Sequence, residues 1–91
     1  MTERLQNKTK ELAKLLEINR IEILLLLAKE DTCVCQMVKK LNIKHSLISH
    51  HLKTLQEMGY ISSTRNGIHI VYNLNKSKRK TVEMLFKLLK Y

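Results

Sequence analysis

Residues 43 to 59, Ile-Lys-His-Ser-Leu-Ile-Ser-His-His-Leu-Lys-Thr-Leu-Gln-Glu-Met-Gly, constrain the chain more than any other stretch. Stepping about 100° per residue from Ile48 brings Leu52 and Leu55 close to it, with His51 and Met58 on the flanks. Ser46, Ser49, His50 and Lys53 fall on the other side. One face is apolar and asks to be buried. The other is small, polar and cationic, the character of a surface that enters a DNA major groove. Gly59 closes the helix, because glycine takes the left-handed cap conformation without a Cβ penalty. Upstream, Cys33 to Leu41 forms a second short helical pattern, and Asn42 to His45 leaves room only for a tight turn. Helix, short turn, helix is the spacing of a helix-turn-helix.

The charge balance points to the same kind of partner. Among 91 residues, Lys and Arg number 17 against 8 Asp and Glu, a formal net charge of +9. A polyanion is the natural ligand of such a surface. A membrane is the competing partner, but no apolar run approaches the ~18 residues of a spanning helix. The run around Leu24 to Ala28 sits inside an amphipathic segment. The start, Met-Thr-Glu-Arg-Leu-Gln-Asn-Lys, lacks the apolar core of a signal peptide, so a cytoplasmic location is expected. Two cysteines in that setting are expected as thiols, not as a structural disulfide. Without proline, repeat or low-complexity linker, residues 1–91 are expected to form a single domain with a small core.

The path along the chain is mostly helical. Residues 2–16 carry Leu5, Leu12, Leu15 and Leu16 at helical spacing. Asn19 is a candidate cap for a second helix through Ile21, Leu24, Leu25, Leu27 and Ala28, with Glu22 completing a capping-box-like pair. Thr32 is a candidate cap for the third, which holds Cys33, Cys35, Met37, Val38 and Leu41; Ser46 or a neighbour starts the fourth. Residues 60–74 change to a period of two, with Ile68, Ile70, Tyr72 and Leu74 alternating with His69, Val71 and Asn73. Asn66-Gly67 between extended runs predicts a hairpin turn. A hairpin directly after such a helix is a wing, with Arg65, Asn66 and His69 toward its tip. Lys78 to Tyr91 is helical again, and Val82, Met84, Leu85, Phe86, Leu88 and Leu89 cover most of its circumference. So apolar a terminal helix predicts packing on a second copy, together with the first helix; residues 2–16 and 78–90 form the expected dimer interface.

Several separate motifs occur in order: Thr-Cys-Val-Cys-Gln-Met-Val-Lys-Lys-Leu, Ile-Ser-His-His-Leu-Lys-Thr-Leu, Thr-Arg-Asn-Gly and Val-Tyr-Asn-Leu. Together they resemble the ArsR/SmtB family of winged-helix repressors over about residues 12 to 75. Arg20 sits where the family's usual arginine falls, and Ile18 replaces a common proline. The resemblance implies a homodimeric regulator that binds operator DNA and releases it when an effector binds. Ser-His-His-Leu and Cys-Val-Cys are similar to the branch that senses arsenic, antimony, cadmium or lead through thiols. In arsenic sensors with this motif a third cysteine usually follows three residues after the second, where this chain has Val38. The N-terminal cysteines of cadmium sensors are missing, and the last helix has no His and only Glu83 for the zinc site of other relatives.

Cys33 and Cys35 therefore admit three readings: partly buried thiols with no effector role, a soft-metal or metalloid site of reduced denticity for As(III) or Cd(II), or a redox switch. No cofactor is certain. His45, His50, His51 and His69 contain no i, i+4 pair that would aim two imidazoles at one zinc ion; His50 points outward and His51 packs at the helix edge.

The expected fold is mainly α with a β-hairpin wing, a winged helix-turn-helix in the order helix, helix, helix, helix, strand, strand, helix. The expected DNA-binding set is Lys44, His45, Ser46, Ser49, His50, Lys53, Arg65 and Asn66. Ser46, Ser49 and His50 reach base edges, Lys44 and Lys53 hold phosphates, and Arg65 reaches the flanking backbone or minor groove. No carboxylate pair, nucleophile elbow or phosphate loop suggests an enzyme. A dithiol redox protein is the alternative from another class, although Cys33-Val34-Cys35 is not a CxxC motif. A winged helix that contacts RNA or protein is a further alternative.

Overall fold

The computed structural model describes residues 2–91. Its elements are α1 (Thr2–Leu15), α2 (Ile18–Lys29), β1 (Thr32–Cys33), α3 (Val34–Leu41), α4 (His45–Glu57), β2 (Ile61–Asn66), β3 (His69–Leu74), a 3-10 turn at Lys76–Lys78, and α5 (Arg79–Leu88). The strands form one antiparallel sheet in the order β1-β3-β2. This is a winged helix-turn-helix: mainly helical, with the β2–β3 hairpin as the wing.

The core is assembled around α2. Ile23, Leu24 and Leu27 meet Met37 of α3, Ile48, Leu52 and Leu55 of α4, Tyr60, Ile61 and Leu74 at the wing base, and Val82 of α5. Burying each such side chain contributes about 1.5–3 kcal/mol, which holds α4 by its apolar stripe and leaves its other face outward. α1 buries only Leu15, so this helix adds little to the core of its own chain.

The helix ends explain the directions of the chain. α4 stops in a two-bond left-handed motif: the Gly59 amide donates to the Gln56 carbonyl and the Tyr60 amide to the Leu55 carbonyl, both at 3.0 Å. Gly59 holds φ +80°, and Tyr60 packs back into the core. The turn between α3 and α4 has Asn42 at φ 55°, with its amide donating to the Val38 carbonyl; asparagine tolerates this conformation better than most residues.

Four local expectations are corrected. Asn19 is not the cap of α2. The helix starts one residue before it, and the Glu17 carboxylate accepts from the Arg20 amide at 3.2 Å; a carboxylate there also meets the positive end of the helix dipole. Thr32 does not cap α3. It is buried in β1 opposite Tyr72, and Cys33 opposite Val71, because these residues satisfy their backbone by extending the sheet. Cys33 is thus the residue before α3 and Cys35 its second residue, not its first and third. The hairpin loop is Gly67-Ile68, not Asn66-Gly67: Asn66 pairs with His69, and only Gly67 has positive φ, 66°. A glycine in the first loop position suits a II′ turn. Ile68 leaves the strand pattern and stands 90% exposed at the tip. Finally, α5 ends at Leu88, before the expected Tyr91.

Candidate nucleic-acid interface

α4 divides by face as helical periodicity requires. Ile48, His51, Leu52 and Leu55 are buried, while His45, Ser46, Ser49, His50 and Lys53 are exposed. Lys44 precedes the helix without a side-chain cap, which leaves the first amides of α4 free to meet an anion. His45 Nδ1 lies 3.5 Å from the Ser49 hydroxyl, one turn on. Arg65 and Asn66 are exposed beside the wing tip. All eight side chains expected to meet DNA are therefore solvent-facing.

The wing is fixed at its base. The Asn75 amide donates to the Tyr60 carbonyl at 2.9 Å, its side-chain NH2 donates to the Gly59 carbonyl at 2.8 Å, and the Ser62 hydroxyl donates to its side-chain oxygen. Gln56 of α4 donates to the Ser63 hydroxyl at 3.1 Å. The wing is thereby registered to the last turn of α4. Asn75 had no signal in the sequence pattern; its role depends on a contact across 16 residues.

The start of α4, the wing and the cysteines share one cleft of about 330 Å³, lined among others by Cys33, Cys35, His45, Ser49, Ile68 and His69. The Cys33 and Cys35 sulfurs are 3.1 Å apart. Cys33 is half-buried and Cys35 exposed. Hydrogen bonding from Cys35 and then from the Gln36 amide lowers the Cys33 pKa, and the same pairing raises that of Cys35. At this distance either sulfur can donate to the other. Val38 is half-buried among core side chains. Among the described residues, no group of three His, Cys, Asp or Glu is arranged to hold a metal ion; the donor set available to a thiophilic ligand is the dithiol.

Behind α4 lies a polar contact that periodicity does not reveal. Arg20 Nε donates to His51 Nδ1 at 3.2 Å, and its Nη1 donates to the Lys14 carbonyl at 2.7 Å. Glu17 Oε2 lies 3.5 Å from His51 Nε2.

Residues 18–63 match the family described as bacterial regulatory protein, arsR family. The chain belongs to the arsR family. A relative, the arsenical resistance operon repressor of Staphylococcus xylosus, is 31% identical over 70 residues, 72% of this chain and 67% of the relative. The arsenic resistance transcriptional regulator ArsR1 of Pseudomonas putida is 32% identical over 69 residues, 75% of this chain and 54% of that protein. The chain therefore spans about two thirds of the first relative and about half of the second. Among solved structures, the homodimeric winged helix-turn-helix DNA-binding domain Mb0332 of Mycobacterium bovis superposes with a TM-score of 0.84 at 18% identity, covering 98% of this chain and 83% of that one. That likeness carries the fold. As an arsR family member with a winged helix-turn-helix, the chain is a DNA-binding transcriptional regulator. No helix among the described residues is long and apolar enough to cross a membrane.

Proposed function

We propose that this arsR family member is a homodimeric, cytoplasmic repressor that sets α4 into the major groove of its operator and grips the flanking DNA with its wing. The observation that carries this reading is the two-faced α4, whose apolar stripe is locked in the core while Ser46, Ser49, His50 and Lys53 stand outward. Ser46, Ser49 and His50 read base edges. Lys44, beside the open amides of α4, and Lys53 hold phosphates, with His45 between them. Arg65 and Asn66 meet the backbone or minor groove beyond.

The second subunit is supported by two uncovered apolar stripes. On α1 the stripe is Leu5 and Leu12, continuing to Leu16; on α5 it is Met84 and Leu88, continuing to Tyr91. Each follows helical spacing, and both terminal helices offer them on a chain too small to bury them. A groove of about 540 Å³ between α2, α3 and α5, lined by Ile18, Ile21, Leu25, Phe86 and Leu89, adjoins them. The mycobacterial domain of this fold is itself homodimeric.

The regulator is released by a thiophilic metal or metalloid such as As(III) or Cd(II), bound by Cys33 and Cys35. The arsenic-resistance roles of the two relatives and the close, unequal thiol pair support this. Soft thiolates select such ions. With two sulfurs and Val38 in the third position, affinity lies below that of a three-thiolate site. Cys33 pairs with the wing through Val71 and immediately precedes α3, so a ligand that grips both sulfurs acts on the wing and the start of α3 at once. The test is affinity for a duplex selected by the native protein from a random-sequence pool, with and without As(III) or Cd(II). Release by about 5–150-fold in the native protein, absent in Cys33→Ser/Cys35→Ser, supports the effector site. Equal metal response in both proteins, or none in either, removes it. Failure to select any duplex removes the DNA reading itself.

A further inference from the structure

His51 faces away from the expected DNA surface and is 5% exposed, although its neighbour His50 is exposed. A buried imidazole next to the residues that read DNA has to be held by something, and the holder is the joint between α1 and α2. Arg20 reaches two places from there: Nε donates to His51 Nδ1 at 3.2 Å, and Nη1 donates to the Lys14 carbonyl at 2.7 Å. Its own amide donates to Glu17, the cap of α2. One residue thus ties the end of α1, the start of α2 and the middle of α4.

The tautomer follows from this geometry. A guanidinium is always protonated and has no acceptor, so His51 Nδ1 must be bare and its single proton must sit on Nε2. That N–H is buried without a hydrogen-bond partner, and Glu17 Oε2 lies 3.5 Å away. A second proton could only go on Nδ1, where it would point at the Arg20 N–H. The bond that ties α4 to the α1–α2 joint would become a contact between two donors. The imidazolium would also attract Glu17 away from the amide it caps.

We propose that Arg20 and His51 are positioning residues for DNA recognition: their contact, made only while His51 is neutral, sets α4 against the α1–α2 joint, and acid releases it. The inference rests on α4 being the DNA-reading helix. The charged and titratable groups around His51 are Glu17 and Arg20 from the facing joint and His50 from α4 itself. Burial, the largest influence, favours the neutral ring; Glu17 opposes that, and Arg20 and His50 reinforce it. The folded protein therefore binds fewer protons here than the unfolded chain. The contact is intact above the ordinary imidazole range and is lost as pH falls through the lower value of the native state. Because α1 is also a helix of the proposed dimer interface, the same contact links the reading head to the subunit partner.

The test compares native protein with His51→Asn, whose side-chain oxygen can accept from Arg20 but cannot be protonated at that position. Affinity for the selected duplex is measured from about pH 8 down to about pH 4.5, so that the series passes below the ordinary imidazole range into the lowered range of His51. His45, His50 and His69 are present in both proteins, so the difference between the two profiles isolates His51. The native protein is expected to lose about tenfold relative to His51→Asn on acidification, and His51→Ala to be weak at every pH. Superimposable native and His51→Asn profiles would overturn the proposal. Should His51→Asn not fold, the ring nitrogens of the native protein decide: a long-range 1H–15N spectrum at about pH 7.5 shows His51 protonated at Nε2 alone, and a proton on Nδ1 overturns the contact. His50→Ala and Lys53→Ala separate the two failures. If neither weakens duplex binding, the reading of α4 falls; if they do while the native and His51→Asn profiles coincide, only the positioning role falls.

Discussion

Lys53→Ala tests the docking of α4 through salt rather than through affinity alone. Lys44, Lys53 and Arg65 are exposed on each chain, so a dimer that docks both copies neutralises about six phosphates. Counterion release then gives a slope of log affinity against log salt of about −5. Between roughly 50 and 200 mM salt, affinity should drop on the order of 10³-fold. Lys53→Ala removes two of the six contacts, and the slope should become shallower by about 2. Its effect should be alike on the selected duplex and on random DNA, because a phosphate contact carries no sequence information. Lys53 is exposed, so the variant should unfold within about 0.5 kcal/mol of the native protein. Fluorescence anisotropy on a labelled duplex at five or so salt concentrations reads both slopes. A native slope shallower than about −2, or an unchanged slope in Lys53→Ala, would refute the electrostatic docking of this face.

His50→Ala should show the opposite signature, losing about 1–3 kcal/mol on the selected duplex with little change on random DNA; swapped phenotypes would mean that the faces of α4 have been assigned wrongly. Met84→Glu/Leu88→Glu places charge on the exposed α5 stripe without touching the buried Val82 and Leu85. It should leave the fold intact, give a monomer in sedimentation equilibrium, and abolish binding to paired half-sites about 10–11 base pairs apart. Gly59→Ala should cost about 1–2 kcal/mol in urea unfolding, all of it from φ +80°, since an added Cβ meets nothing within 4 Å. Gly59→Asn should cost less, and equal losses for both would show that backbone strain is not the cause.

What the sequence made legible was whatever is encoded within a few turns of chain. The faces of α4 follow from Ile48, Leu52 and Leu55 alone, and its end from Gly59, because helical period and left-handed caps are local. The errors share a different cause. Thr32 is a good helix cap by type, yet it lies in a strand because Tyr72, 40 positions along by number, offers it backbone partners. Asn66-Gly67 and Gly67-Ile68 are both acceptable two-residue loops; the pairing of Ile61 with Leu74, both buried at the base of the wing, chooses between them by register. Arg20 and His51 are 31 residues apart, and nothing in the spacing of either tells of the other. These non-local contacts are also the ones that bear on regulation. With Cys33 inside the sheet rather than within the first turn of α3, the dithiol is joined to the wing by backbone pairing, and an effector there need not act through the helix-turn-helix alone. Arg20 approaches the same reading head from behind, through His51. The DNA-facing side chains thus stand between two supports, one open to thiol chemistry and one to protons, and each acts by moving the frame that presents those side chains without altering them.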